Sequence, residues 1–214
     1  MVLLCQNYIN MRKSNKERLF KAAFKLFLTE HFNGVSISDV EEASGLTRGA
    51  VFYYAKTKLD LYKQVVEYYI MDKQDISQKL GTPEYTSFRE FIDVYINSIE
   101  RTMDSMRDII NEIPSNSAPR SYMAMILEIC SYFPDFQERY VMNVNNEVGR
   151  WVALLQHSIS IGEIRSDIDI LATAKNFVSV YYGQSYTDAM SLGLNPSQLR
   201  EQLLNLYRLL KITK

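Results

Sequence analysis

The stretch Ser36 to Lys58, SISDVEEASGLTRGAVFYYAKTK, leaves a chain few ways to fold. Ile37, Val40 and Ala43 recur at helical spacing, which predicts a short helix with one buried face. Gly45 is a stop that tolerates positive φ, and Leu46 can pack back across the corner. Thr47 offers its side-chain oxygen to the free N–H groups of a second helix, roughly Arg48 to Ala55. That helix buries Val51 and Phe52 and turns Arg48, Gly49, Ala50, Tyr53 and Tyr54 away from the core. Two short helices joined by a Gly-containing turn form a helix-turn-helix unit, whose second helix enters the major groove of DNA. Arg48, at the start of that helix, suits a bidentate contact to guanine. Gly49 allows close approach, and the Ala50 methyl suits a thymine methyl. Ser36 and Ser38, near the start of the first helix, are placed to add phosphate contacts.

Upstream, Ser14-Asn15-Lys16-Glu17 fits a capping box. The helix it opens should bury Leu19, Ala22, Ala23, Leu26 and Phe27 and end near Phe32-Asn33-Gly34. Downstream, Thr57 to Asp60 repeats the capping pattern. The helix from Lys58 should run to about Leu80, where Gly81-Thr82-Pro83 breaks it. Four apolar-striped segments follow a long amphipathic one at 87–113: 120–133, 135–161, 170–192 and 196–212, with Gly162, Gly193 and the prolines as breaks. No alternating strand pattern appears. The domains are read as 1–58 for the head, 59–80 for a linking helix and 81–214 for a helical body. The fold class is all-α: an N-terminal three-helix helix-turn-helix DNA-binding head and a C-terminal helical bundle.

Charge agrees with that division. The whole chain carries a formal charge of -1. Residues 1–62 hold nine Lys or Arg and six Asp or Glu (+3), and the remainder holds fifteen and nineteen (-4). A mildly basic front on an acidic back fits a DNA-reading head on a body of other purpose. Cys5 and Cys130 are too few and too far apart for a disulfide framework, which predicts free thiols in a reducing cytoplasm. His31 and His157 belong to no metal-spaced cluster, so neither a metal nor a cofactor is expected. No segment approaches the roughly 18 apolar residues of a membrane span, and Val2-Leu3-Leu4-Cys5 is too short for a signal core.

Thr47 to Leu61 resembles the TetR-family signature: a Ser or Thr cap, a Gly two residues on, an aromatic cluster, and Lys-x-x-Leu opening the next helix, here Lys58 to Leu61. Ala22 to Phe27 and Val35 to Val40 are similar to the family's first helix and its connection, and Gly162 to Asp169 resembles the link before its last two helices. The resemblance implies a cytoplasmic transcriptional regulator. It also implies that Tyr53, Tyr54 and Lys58 bind phosphates beside the capping Thr47. Phe52 stands where the family often has Tyr, which removes a hydroxyl, and Ala55 stands where it usually has Phe.

The last two helices carry apolar residues on more than one face, so they need two partners. One is the body and the other a second copy of the chain, through Tyr182, Tyr186, Leu199, Leu203, Leu206 and Leu210. The resemblance implies the same homodimer, whose two heads would meet the half-sites of a palindromic operator in double-stranded DNA. It also implies a small-molecule effector held inside the bundle. Tyr95, Ile99, Met103, Met123, Ile126, Trp151, Leu155, Phe177 and Tyr181 are the candidate lining. The leading reading is a repressor released by that effector. A helical interaction or ligand-binding protein that has lost DNA reading is the alternative. An all-helical enzyme ranks third, because the sequence offers no nucleophile–base pair, metal cluster or phosphate-cradling loop.

Overall fold

A computed structural model describes residues 2–71, 87–110 and 118–212, and the side chains of all of these except 2–12, 105, 107, 108 and 110. The described residues form helices, with one isolated antiparallel bridge between Ile164 and Lys211. In chain order they are α1 (Val2–Gly34), α2 (Ile37–Ser44), α3 (Arg48–Tyr54) and α4 (Lys58–Val66), which continues as a π-turn over Glu67–Met71. Then come α5 (Phe88–Ile110), α6 (Ala118–Tyr132), α7 (Pro134–Ser160), α8 (Ile170–Ala189) and α9 (Pro196–Leu210). The chain divides into two compact units, Met1–Gln74 with Ile109–Met125, and Asp75–Asp108 with Ile126–Lys214. The expected boundary at Gly81-Thr82-Pro83 and the end of the linking helix lie outside the described residues.

In the first unit α1 packs against both α2 and α4. Two neighbours need a wider apolar face than one. Leu19, Phe20, Ala23, Phe24, Phe27 and Leu28 are all buried, while Ala22 and Leu26 are only half-buried. Phe27 meets Tyr62 edge-on at 4.8 Å, and Phe24 stacks on Tyr69 at 4.4 Å. Burial is the main cause that pushes the Tyr69 phenol up to about 12. The Ser14 capping box is not a helix start, because α1 already runs from Val2 and Ser14 lies within it. The helical path is interrupted instead at His31, with φ 59° and ψ 170°, a region that favours glycine.

The second unit is built around an aromatic cluster. Trp151 is fully buried and stacks on Phe177 at 4.5 Å. Phe88 stacks on Tyr207 at 5.0 Å. Glu163 fastens three elements: its carboxylate accepts the N–H of Phe88 at 3.0 Å and the Tyr207 hydroxyl at 2.7 Å, and its carbonyl accepts Ile212 N–H at 3.2 Å. Asp169, rather than Asp167, caps α8 by accepting Ala172 N–H at 2.9 Å, because Asp167 is turned to Arg165 at 2.6 Å. Pro134 and Pro196 each stand in the first turn of a helix, where the missing N–H costs nothing. α6 opens at Ala118, two residues before the expected start at 120, so Pro119 lies in its first turn.

Candidate nucleic-acid interface

The corner between α2 and α3 is fixed by its own short-range chemistry. Ser36 accepts Asp39 N–H at 3.2 Å and donates its backbone N–H to the Asp39 carboxylate at 2.7 Å. That backbone bond is the first cause holding the Asp39 carboxyl below its ordinary value. Val40 and Ser44 are the buried residues of α2. Ile37 is half-buried and Ala43 exposed, so the expected face is rotated toward Ser44. The reason is polar: Ser44 Oγ accepts Leu46 N–H at 3.3 Å and stitches the corner. Gly45 ends α2 at φ 61°, the left-handed conformation that lets the chain reverse. Thr47 Oγ1 then accepts Ala50 N–H at 3.4 Å and opens α3.

Within α3 only Val51 is buried, and Phe52 and Ala50 are half-buried. Thr47, Arg48 and Gly49 are exposed, as are Ser36 and Ser38 on and beside α2. A Cβ added at Gly49 would meet nothing within 4 Å, so this glycine is not required by packing inside the chain. Tyr53 is 57 % exposed and meets half-buried Tyr54 edge-on at 5.1 Å. Arg48 keeps 64 % of its side chain in solvent, with its guanidinium 5.5 Å from the Phe52 ring. Ala55 is buried and closes α3 in extended conformation. Gln64 accordingly donates to Tyr54 O at 3.0 Å across the exit from the helix.

Lys58 is placed differently from the other candidates. It is half-buried, and its ammonium donates to Phe32 O and Val35 O, both at 2.9 Å, while lying 4.3 Å over the Phe32 ring. Two of its three donors are therefore spent clasping the start of α4 to the link between α1 and α2. Nothing local in the sequence signals that clasp, since its partners lie 26 and 23 residues away.

The chain segment 19–65 matches the family model described as bacterial regulatory proteins, tetR family. Solved structures extend the likeness over the rest. A TetR-family transcriptional regulator from Agrobacterium tumefaciens is 13 % identical, covers 94 % of this chain and 100 % of its own, and superposes with a TM-score of 0.64. NalD of Pseudomonas aeruginosa, the secondary repressor of the MexAB-OprM multidrug efflux pump, is 16 % identical with coverages of 95 % and 100 % and a TM-score of 0.66. GusR of Salmonella enterica is 18 % identical, with coverages of 91 % and 96 % and a TM-score of 0.56. Residues 19–65 thus match the TetR family, and the chain as a whole shares the fold of solved TetR-family regulators. No curated protein matches its sequence. The fold is that of a TetR-family transcriptional regulator, with its helix-turn-helix in α2 and α3. Among the described residues no helix is long and apolar enough to cross a membrane.

The residues expected to line an effector site are not all brought together. Tyr95, Ile99, Trp151, Leu155 and Phe177 belong to one buried cluster of the second unit, with Tyr181 packed against it. Met103 is exposed, Ile126 is buried, and Met123 is half-buried in the first unit. Glu147, an acid with no local signal in the sequence, is 2 % exposed inside the second unit. Tyr95 donates to its carboxyl, as does Tyr182 at 3.2 Å. Burial, and then Glu147 itself, holds the Tyr95 phenol well above its ordinary value, and the same causes raise Tyr182. Trp151 Nε1, one turn further along α7, is buried and has no acceptor among the described residues.

The final helix pair needs a correction. Leu199 and Leu203 are fully buried in the core of their own chain and have no surface to offer a second copy. Leu206 and Leu210 are half-buried against that core, as is Tyr182. Tyr186 is 58 % exposed. Leu171 on α8, Met190 at its C-terminal end and Leu209 on α9 are exposed too.

Proposed function

We propose that the chain is a DNA-binding repressor that reads a palindromic operator as a homodimer and is released by a small molecule. The observation that carries the reading is the outer surface of α3. A Thr47-capped helix presents Arg48 and Tyr53 to solvent beside a glycine that internal packing does not require. Arg48 reads guanine, Gly49 lets the backbone come close, and Tyr53, Tyr54, Ser36 and Ser38 fix the register on phosphates. Lys58 acts by holding the head together, with one donor left for a phosphate. The second copy docks on the exposed face of α8 and α9 through Tyr186, Met190 and Leu209, with Tyr182, Leu206 and Leu210 at its edge. The effector enters the cluster around Trp151, where Glu147 and the Trp151 N–H give an otherwise apolar interior something polar to orient a ligand. The segment between the head and the body, 59–80, transmits the change. A ligand of equal affinity for both arrangements would shift nothing, so the effector must prefer the one that does not fit DNA.

Selection of bound fragments from random DNA with the purified chain tests the reading. The expected result is an inverted repeat whose half-sites lie one or more turns apart, about 34 Å per turn. Recovery of no sequence motif would sink it.

A further inference from the structure

Glu41 stands on α2, and its Oε1 is shut off from water without a hydrogen-bond partner among the described residues. That oxygen faces Arg48 Nη1 at 3.7 Å, with the Glu41 side chain 25 % exposed. On its other side the Arg48 guanidinium lies over Phe52, 5.5 Å from the ring centroid. The one cation on the outer surface of α3 is thus held from two directions. A guanidinium has five donors in a rigid fork, so an edge turned to Glu41 leaves other donors for a base.

We propose that Glu41 is the positioning residue that makes Arg48 selective, an inference that rests on α3 being the DNA-reading helix. A carboxylate near that surface repels phosphates and so weakens binding to DNA of any sequence. Its return is order. An untethered arginine swings freely between a phosphate and a base edge, and docking it freezes its rotamers. Held by Glu41 and Phe52, the guanidinium is already aimed, and its reach toward the backbone is curtailed. Guanine then gains over the other bases, because only guanine offers two acceptors to the fork.

The test is selection from random DNA with the full-length wild type, Arg48→Ala, Glu41→Ala, Glu41→Gln and the double Arg48→Ala/Glu41→Ala chain. Glu42→Ala serves as control, since it removes the same charge from an exposed site on the same helix. Thermal melting establishes that each chain is folded, and Glu41→Gln keeps the shape if the alanine variant fails. Both Glu41 variants should lose about tenfold in preference at the one base position that Arg48→Ala also flattens. The double variant should be no flatter than Arg48→Ala. Affinity for random DNA should rise in the Glu41 variants. Glu42→Ala should leave every base preference in place. Glu41 variants that behave like Glu42→Ala, or that flatten a different position, would overturn the proposal while leaving the reading helix intact. A motif unchanged by Arg48→Ala would overturn both.

Discussion

The head and the bundle are held by different kinds of interaction. In the head, most fasteners close over three or four residues: Ser36 with Asp39, Thr47 with Ala50, Thr57 with Asp60, and Lys56 N–H with the Asp60 carboxylate at 2.7 Å. In the second unit the corresponding polar links span 35 residues from Tyr182 to Glu147, 52 from Tyr95 to Glu147, 75 from Phe88 to Glu163 and 107 from Arg200 to Asp93. A locally wired element can present the same surface whatever body it is attached to. A bundle tied by distant pairs has its interior set by all its helices together.

Trp151→Ala removes the largest fully buried side chain among the described residues and should cost about 3–5 kcal/mol, read by thermal or denaturant unfolding. A loss below about 1 kcal/mol would mean that the aromatic cluster does not hold the bundle. Lys58→Met tests the exception, the long-range clasp inside an otherwise local head. Losing two hydrogen bonds from a charged donor should destabilise the head by about 1.5–3 kcal/mol and weaken binding to all DNA sequences alike. Full stability in that variant would show the clasp to be dispensable.

A smaller effect has the opposite sign. His31 is held at φ 59° and ψ 170°, where a side chain is strained by about 1–3 kcal/mol and glycine is not. His31→Gly should therefore stabilise the head by about 1 kcal/mol after the entropic cost of glycine. A lowered melting temperature would contradict that.

The smallest effects are those of pH, and they separate the regions. Asp39 has a lowered carboxyl pKa, so its contribution is present above its ordinary value of 3.8 and is lost as pH falls through the lowered one. Tyr95 and Tyr182 have raised phenols. Their neutral forms are favoured in the folded state, so the second unit should lose stability as pH rises above the ordinary phenol value of 10, where the unfolded chain begins to ionise. Trp151 fluorescence followed from pH 7 upward should report that loss; a flat profile past the phenol range would count against the buried Tyr–Glu147 group.

What was legible in the sequence follows the same division. Ser36, Gly45 and Thr47 announce their roles because capping and turn chemistry act over a few residues. The exposed surface of α3 followed from turning Val51 and Phe52 inward; Phe52 is only half-buried, but one buried residue is enough to fix the phase of so short a helix. Periodicity found the helices of the second unit but not their neighbours. The wide burial of Phe20, Phe24 and Leu28 required knowing that α1 has two partners. Leu199 and Leu203 looked like interface residues because an apolar stripe does not say whether its own chain or a second copy covers it. Glu147 and Glu163 carry no local signal, for their partners lie on other helices. Lys58 was placed by resemblance alone, and its clasp on Phe32 and Val35 could only be seen in three dimensions.

The most direct measurement is the dissociation constant of a selected duplex for the wild-type chain and for Arg48→Ala at one fixed salt concentration, by fluorescence anisotropy. The predicted result is a loss of about 1–3 kcal/mol, roughly five- to 150-fold, confined to the selected sequence and absent on random DNA. Equal affinity of the two chains for the selected duplex would contradict the assignment of α3 as the reading helix.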